Sequence, residues 1–244
     1  MLGSHARGQK KLSRLTRFIL GGRLFLALKA VYLLFPIFKD SYSQYGEDLV
    51  LEKLFPEKIG NYIDIGGGNP IFLSNTYKFY RKGWKGIVIE PQFQNHILAK
   101  TVRRRDLNLK RLASSQSMSV EFYTLNPDYF STSDKAIAEE RISHGAELIS
   151  KKKFETVAVR DINVVTSDLD VTFLSIDVEG AELDVLNGID FMRFLPLAIL
   201  IEVFAHSETK LEVYEVLKKN GYQLTDLCLE NQLWLHSSAL NRIR

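Results

Sequence analysis

The apolar residues gather in short continuous runs, with little strict alternation. Tyr62–Ile65, Gly86–Ile89, Val171–Ile176 and Leu197–Val203 are such runs, the pattern of strands buried on both faces. Gly66-Gly67-Gly68 breaks the first. Pro70 stands where the first turn of a helix tolerates a missing N–H, and Ser74–Arg81 predicts that helix, closed by Gly83. Phe93–Arg104 predicts a second crossover helix, and Leu107–Ala113 a third strand with Ser114 at its tip. Ser119–Leu125 alternates and predicts an added strand; Phe154–Val159 predicts another, followed by a short helix or turn over Asp161–Val165. Leu211–Asn220 is an amphipathic helix. Gln223–Cys228 and Leu233–His236 are closing strands that would form an antiparallel edge. Together these predict a doubly wound α/β fold of about seven strands, mostly parallel, whose ligand lies outside the carboxyl ends of the strands.

Two segments are less regular. Ser41–Asp48 precedes a helix over Leu49–Phe55, with acids where the helix dipole favours them and Ser43 available as a cap. Asn126–Lys153 offers caps at Ser131–Asp134, a loosely amphipathic stretch over Ala136–Ile149 that includes a surface His144, and a solvated Lys151-Lys152-Lys153. An insertion there overhangs the carboxyl edge of the sheet and is a natural lid or acceptor-binding element (126–153). Arg103-Arg104-Arg105, at a helix end, reads as dipole complement and solvated surface.

Charge divides the chain further. Residues 1–39 carry Arg7, Lys10, Lys11, Arg14, Arg17, Arg23, Lys29 and Lys39 and no acid, so the net +3 conceals a remainder that is acidic on balance. The expected organisation is a basic and apolar N-terminal helical arm, 1–39, and one α/β domain, 40–244. An acidic domain argues against a nucleic-acid partner. Phe18–Phe38 is apolar but interrupted by charges, Gly21-Gly22 and Pro36, a poor membrane span. Residues 7–38 would lie on an anionic membrane surface or pack against protein. The single cysteine, Cys228, rules out an intrachain disulfide and fits a reducing, cytoplasmic setting, with the inner face of the membrane open to the arm.

The chemistry concentrates near the glycines. Gly66 and Gly68 let backbone amides approach a ligand, and Glu90, ending the second strand, is placed to accept from both hydroxyls of a ribose. The dinucleotide fingerprint fails, since its third glycine falls on Ile71. A ribose-bearing ligand without a pyrophosphate fits better, and S-adenosyl-L-methionine is the common one. Ser114 is placed to touch its adenine.

Asp64-Ile65-Gly66, Ser74-Asn75-Thr76, Gly83-Trp84, Gly86 and Ile89-Glu90-Pro91, followed by Ile176-Asp177-Val178-Glu179-Gly180-Ala181-Glu182, Val185-Leu186 and Gly188, resemble FkbM-type methyltransferases from about Tyr42 to Phe204. Gly67-Gly68 stands where many members have Ala-Asn, and Pro70 where many have Gly. The resemblance implies a Rossmann-like methyltransferase fold and S-adenosylmethionine held by Gln44, Asp64, Gly66, Gly68, Ser74, Asn75, Glu90, Pro91, Ser114 and Asp177. Gln44 belongs to a Ser-Gln-x-x-x-Asp segment that covers the cofactor in the family. Asp177 is the first candidate for a base or acceptor-orienting group, or else a cap of the following helix. Glu179 and His206 are further catalytic candidates, Glu179 and Glu182 being equally suited to the first-turn dipole. Asp177, Glu202 and His206 could cluster around a divalent cation, but one histidine with scattered carboxylates does not define a metal site, and none is assigned. The expected function is O-methylation of a sugar hydroxyl in a glycan. Alternatives are an NAD-linked oxidoreductase on the same architecture and a membrane-associated binding protein without turnover.

Overall fold

The computed structural model describes residues 40–56, 59–165, 171–204, 209–228 and 230–239. These elements belong to one unit, Tyr42–Arg244. The basic arm, residues 1–39, and His206 lie outside the described residues.

In chain order the elements are α1 (Glu47–Leu54), β1 (Asn61–Ile65), α2 (Tyr77–Arg81), β2 (Lys85–Ile89), α3 (Phe93–Val102), β3 (Leu107–Leu109), β4 (Leu112–Ser114), β5 (Ser119–Asn126), α4 (Lys135–Ser143), β6 (Glu147–Ala158), α5 (Val159–Val165), β7 (Val171–Ile176), α6 (Glu182–Asn187), β8 (Ala198–Glu202), α7 (Lys210–Lys219), β9 (Tyr222–Cys228) and β10 (Asn231–His236). Seven strands form one sheet in the order β3-β2-β1-β7-β8-β10-β9. All its pairs are parallel except those of β10, which runs antiparallel to both β8 and β9. The chain order reverses between β1 and β7, which are neighbours, and this is the switch point where such sheets open a crevice.

The apolar runs are strands because both sheet faces are covered. Ile63, Ile65, Ile87, Ile89, Leu174, Ile176, Ile199 and Ile201 face one side, with Val185, Leu186, Val213 and Leu217 packed over them. Alternate residues of the same strands, Tyr62, Phe173, Ala198 and Leu200, face the other, against Leu51, Phe55, Phe79, Tyr80 and Trp84. Phe173 anchors that second layer, with ring centroids of Phe79 at 4.8 Å and Trp84 at 5.7 Å.

Three expectations need correction. The run Leu107–Ala113 is not one strand: β3 pairs with β2, whereas β4 leaves the sheet and pairs with β6. The break falls at Lys110 and Arg111, both exposed, whose charges keep the chain from continuing into the layer. β4, β6 and β5 form a separate three-stranded sheet that the apolar pattern did not announce. Its long strand β6 absorbs Ile149, Lys151-Lys152-Lys153 and Phe154, while α4 ends at Ser143. Finally, Pro70 and Ser74 precede α2, which begins at Tyr77. Asn69 Oδ1 accepts from the amides of Ile71 and Phe72, and Leu73 takes a positive φ of 59°, so a turn replaces the expected first helical turn. Among the described residues no helix is long and apolar enough to cross a membrane.

Candidate active site

The glycine turn begins where three strands end together. The amide of Gly66 donates to the carbonyl of Ile89 at 2.9 Å, and that of Asp177 to the carbonyl of Ile65 at 2.9 Å. Gly66 has φ 77°, and a Cβ there would stand 1.7 Å from the carbonyl oxygen of Asp177. Only glycine lets the first turn pass this close to the end of β7. A Cβ on Gly67 would meet Val88 Cγ1 at 2.8 Å and Asp64 Oδ2 at 3.3 Å, so the turn lies directly on those two side chains.

Glu90, just past β2, is buried and faces this turn. Its carboxylate accepts from the Gly68 amide at 2.8 Å and the Gln92 amide at 2.6 Å. Removal from water pushes its pKa up to about 7; the two amides pull it down, and the charges of Asp128 and Asp64 add to the rise.

Beneath the turn, period-2 alternation in β1 puts Asp64 on the same sheet face as Tyr62. There Asp64 Oδ2 accepts from the hydroxyl of Thr76 and from Arg103 Nη1, the latter at 3.4 Å. Ser74 Oγ accepts from the Tyr77 amide at 3.1 Å, at the entry to α2, and Asn75 Nδ2 donates to Ser175 Oγ at 3.3 Å. Asp64, Ser74 and Asn75 are all buried and support the turn from below. Pro91 is buried between Glu90 and α3.

Across the switch point, the carboxylate oxygens of Asp177, Glu179 and Glu202 all lie within 4.8 Å of one another. Burial is the first cause raising the pKa of each; for Asp177 the charges of Glu179 and Glu182 come next. Groups this close cannot all ionise without a counter-charge. Arg141 of α4 supplies one, its Nη2 donating to Glu179 Oε2 at 2.5 Å while Nη1 donates to the carbonyl of Phe130 at 2.8 Å. The Thr132 hydroxyl also donates to the carbonyl of Glu179 at 2.8 Å. The insertion therefore covers this end of the sheet, through contacts no local sequence pattern signals. Glu179 holds φ 56°, and Glu182 Oε1 accepts from the Gly180 amide at 2.9 Å. Ala181 stands at the N-cap of α6 and no side chain caps that end, so the alternative of Asp177 as the cap is set aside.

Two candidates stand elsewhere. Gln44 is exposed and donates to the Tyr45 hydroxyl at 2.6 Å. Ser114 follows β4 into the second sheet, and its hydroxyl donates to Asp184 Oδ2 at 2.7 Å, so it does not reach the glycine turn. The reason is the break after Leu109.

A mostly parallel seven-stranded sheet with one antiparallel strand near its edge, a glycine turn after the first strand and an acid after the second defines a Rossmann-like fold, the architecture that methyltransferases of this class use. The chain matches the Methyltransferase FkbM domain over residues 60–224, more than half its length, and belongs to that family. This membership sets aside the oxidoreductase alternative. A comparison with curated proteins returns no significant match. Among solved structures, the methyltransferase FkbM from Methylobacillus flagellatus KT is similar at 18% identity and a TM-score of 0.47, covering 72% of this chain and 43% of its own. Monomeric WbdD is similar at 14% identity and a TM-score of 0.39, covering 81% of this chain and 42% of its own. The chain thus spans less than half the length of either, and neither likeness bears on substrate.

Proposed function

We propose that the protein is an S-adenosylmethionine-dependent O-methyltransferase acting on a sugar hydroxyl of a glycan or glycoconjugate. The observation that carries the reading is the meeting of the Gly66–Gly68 turn, Glu90 and Asp177 at one switch point. The residues fit the cofactor. Each Glu90 oxygen accepts one amide and keeps a lone pair for a ribose hydroxyl, and the absence of a Cβ at Gly66 and Gly67 lets the turn's backbone lie directly against the end of β7 and on Val88 and Asp64. When bound, the cofactor supplies an electrophilic methyl group on a positively charged sulfur.

The chain's own part is alignment and proton removal. Asp177, whose affinity for a proton is raised towards the working pH, takes the proton of the acceptor hydroxyl. Glu179, fixed by Arg141, and Glu202 accept from neighbouring hydroxyls, a donor-rich chemistry that suits a saccharide. His206 is a second candidate base outside the described residues. The insertion, 126–153, serves as lid and acceptor wall. The arm, residues 7–38, meets an anionic membrane surface on the cytoplasmic side; flotation with anionic vesicles, comparing the full chain with one starting at Asp40, tests this.

The main test is calorimetry with S-adenosylmethionine, joined to transfer of a radiolabelled methyl group onto glycans extracted from the source organism. Glu90→Ala should abolish binding, and Asp177→Asn should keep binding but lose incorporation. No binding by the unaltered protein, or full incorporation by Asp177→Asn, would overturn the assignment.

A further inference from the structure

Arg103 follows α3 in a run of three arginines of which Arg104 and Arg105 are exposed, yet its own side chain is wholly buried. Every nitrogen of its guanidinium is engaged. Nε donates to Asp106 Oδ2 at 2.9 Å, Nη1 to Asp64 Oδ2 at 3.4 Å, and Nη2 to the hydroxyls of Thr76 at 2.7 Å and Tyr62 at 2.8 Å. Thr76 donates to Asp64 in turn. We infer that Arg103 is a positioning residue for the cofactor loop, clasping both ends of the 66–75 segment so that the turn's amides and Glu90 meet the ligand in one arrangement. This rests on the cofactor reading above.

The geometry carries the inference because the two partners bracket the loop. Asp64 stands just before Gly66, and Thr76 is the residue that precedes α2. Asp64 Oδ2 is also the floor on which Gly67 lies. Between the brackets, Gly68 is tied to Glu90, Asn69 caps its own turn, and the Ser74 amide donates to the carbonyl of Tyr42 at 3.1 Å. A buried guanidinium with two carboxylates is poorly explained by stability, since apolar residues of equal volume generally serve as well. Apolar residues cannot join two backbone ends at fixed points. Lysine cannot either, because an ammonium is a point donor where this site uses a planar fork.

The consequence for binding is a population effect. If loss of the clasp leaves the loop correctly formed in about one molecule in ten, the apparent Kd rises about tenfold.

The test uses the full chain, with S-adenosylmethionine as the probe in calorimetry and amide hydrogen exchange read over residues 66–75 without ligand. Removing the charge risks unfolding, so the principal variant is Thr76→Val, which keeps Arg103 and both carboxylates. It should bind about tenfold more weakly and exchange faster in the loop, with Thr76→Ser restoring both and Arg103→Lys behaving like Thr76→Val. Tyr62→Phe removes a hydroxyl from the same cluster two residues further from the turn, and should lose stability with at most about a twofold change in affinity. A folded Thr76→Val variant with unchanged Kd and unchanged loop exchange overturns the inference. So does a Tyr62→Phe variant weakened as much as Thr76→Val, because the cluster would then be merely structural. Failure of the unaltered protein to bind S-adenosylmethionine removes the cofactor reading itself, and this inference with it.

Discussion

Replacing Gly66 with alanine tests the closest backbone approach in the site. At φ 77° a Cβ costs about 1–2 kcal/mol relative to right-handed backbone, and alanine's stiffer unfolded chain returns about 0.4–1 kcal/mol. The larger effect is contact. The new carbon would stand 1.7 Å from the Asp177 carbonyl oxygen and 2.7 Å from its carbon, neither of which belongs to a side chain that can swing away. Moving the end of β7 should cost a further 1–3 kcal/mol or so, as overpacking does. The total is about 1–4.6 kcal/mol. Gly68→Ala is the internal control, for it shares a positive φ of 50° but its nearest neighbour would be the Gly66 carbonyl oxygen at 3.8 Å. It should cost about 1 kcal/mol or less. Urea unfolding of both variants measures the difference directly. Equal losses, within about 0.5 kcal/mol, would refute the argument that Gly66 is required by its contact with Asp177. Methyl transfer should fall more steeply for Gly66→Ala as well, since the shift displaces Asp177 relative to Glu90.

Arg141→Met should destabilise the protein by about 2 kcal/mol in urea, less than the loss for a fully buried pair because both partners keep some solvent contact; a change under about 0.5 kcal/mol would mean the insertion is not held through Glu179. Stability should also fall as pH rises. The folded protein keeps a proton on Glu90 up to about pH 7 that the unfolded chain has already released in the ordinary carboxylate range, so the decline begins there and, for this group, ends near 7. Asp177 and Glu202, also raised, extend the decline upward. Urea midpoints at pH 5.5, 7 and 9 measure this, and a midpoint that climbs across the series contradicts the placement of these carboxyls.

The main sheet was legible because its central strands are covered on both sides, which leaves uninterrupted apolar runs at Tyr62–Ile65 and Val171–Ile176. Glu90 was legible because it ends the run Gly86–Ile89, and Asp177 because it ends Val171–Ile176. What stayed hidden depends on partners rather than on pattern. Leu107–Ala113 reads as one strand, yet its halves pair with β2 and β6, a choice made far along the chain. Arg103 looked like one of three solvated charges. The available signal was Asp106, three residues on and buried with it, and Asp64, which the alternation of β1 places on the Tyr62 face. Arg141 reaches Glu179 across 38 residues, and nothing near either residue announces the pairing.

Tyr42 gives the fold one more constraint. Its amide donates to Asp48 Oδ2 at 2.7 Å, its hydroxyl accepts from Arg81, and its ring meets Tyr77 edge-on at 5.0 Å. Its carbonyl is the acceptor for Ser74. A shortened version of the chain that starts beyond this tyrosine would keep every strand of the sheet while unfastening the downstream margin of the ligand crevice. Trimming for crystallisation should therefore stop upstream of it.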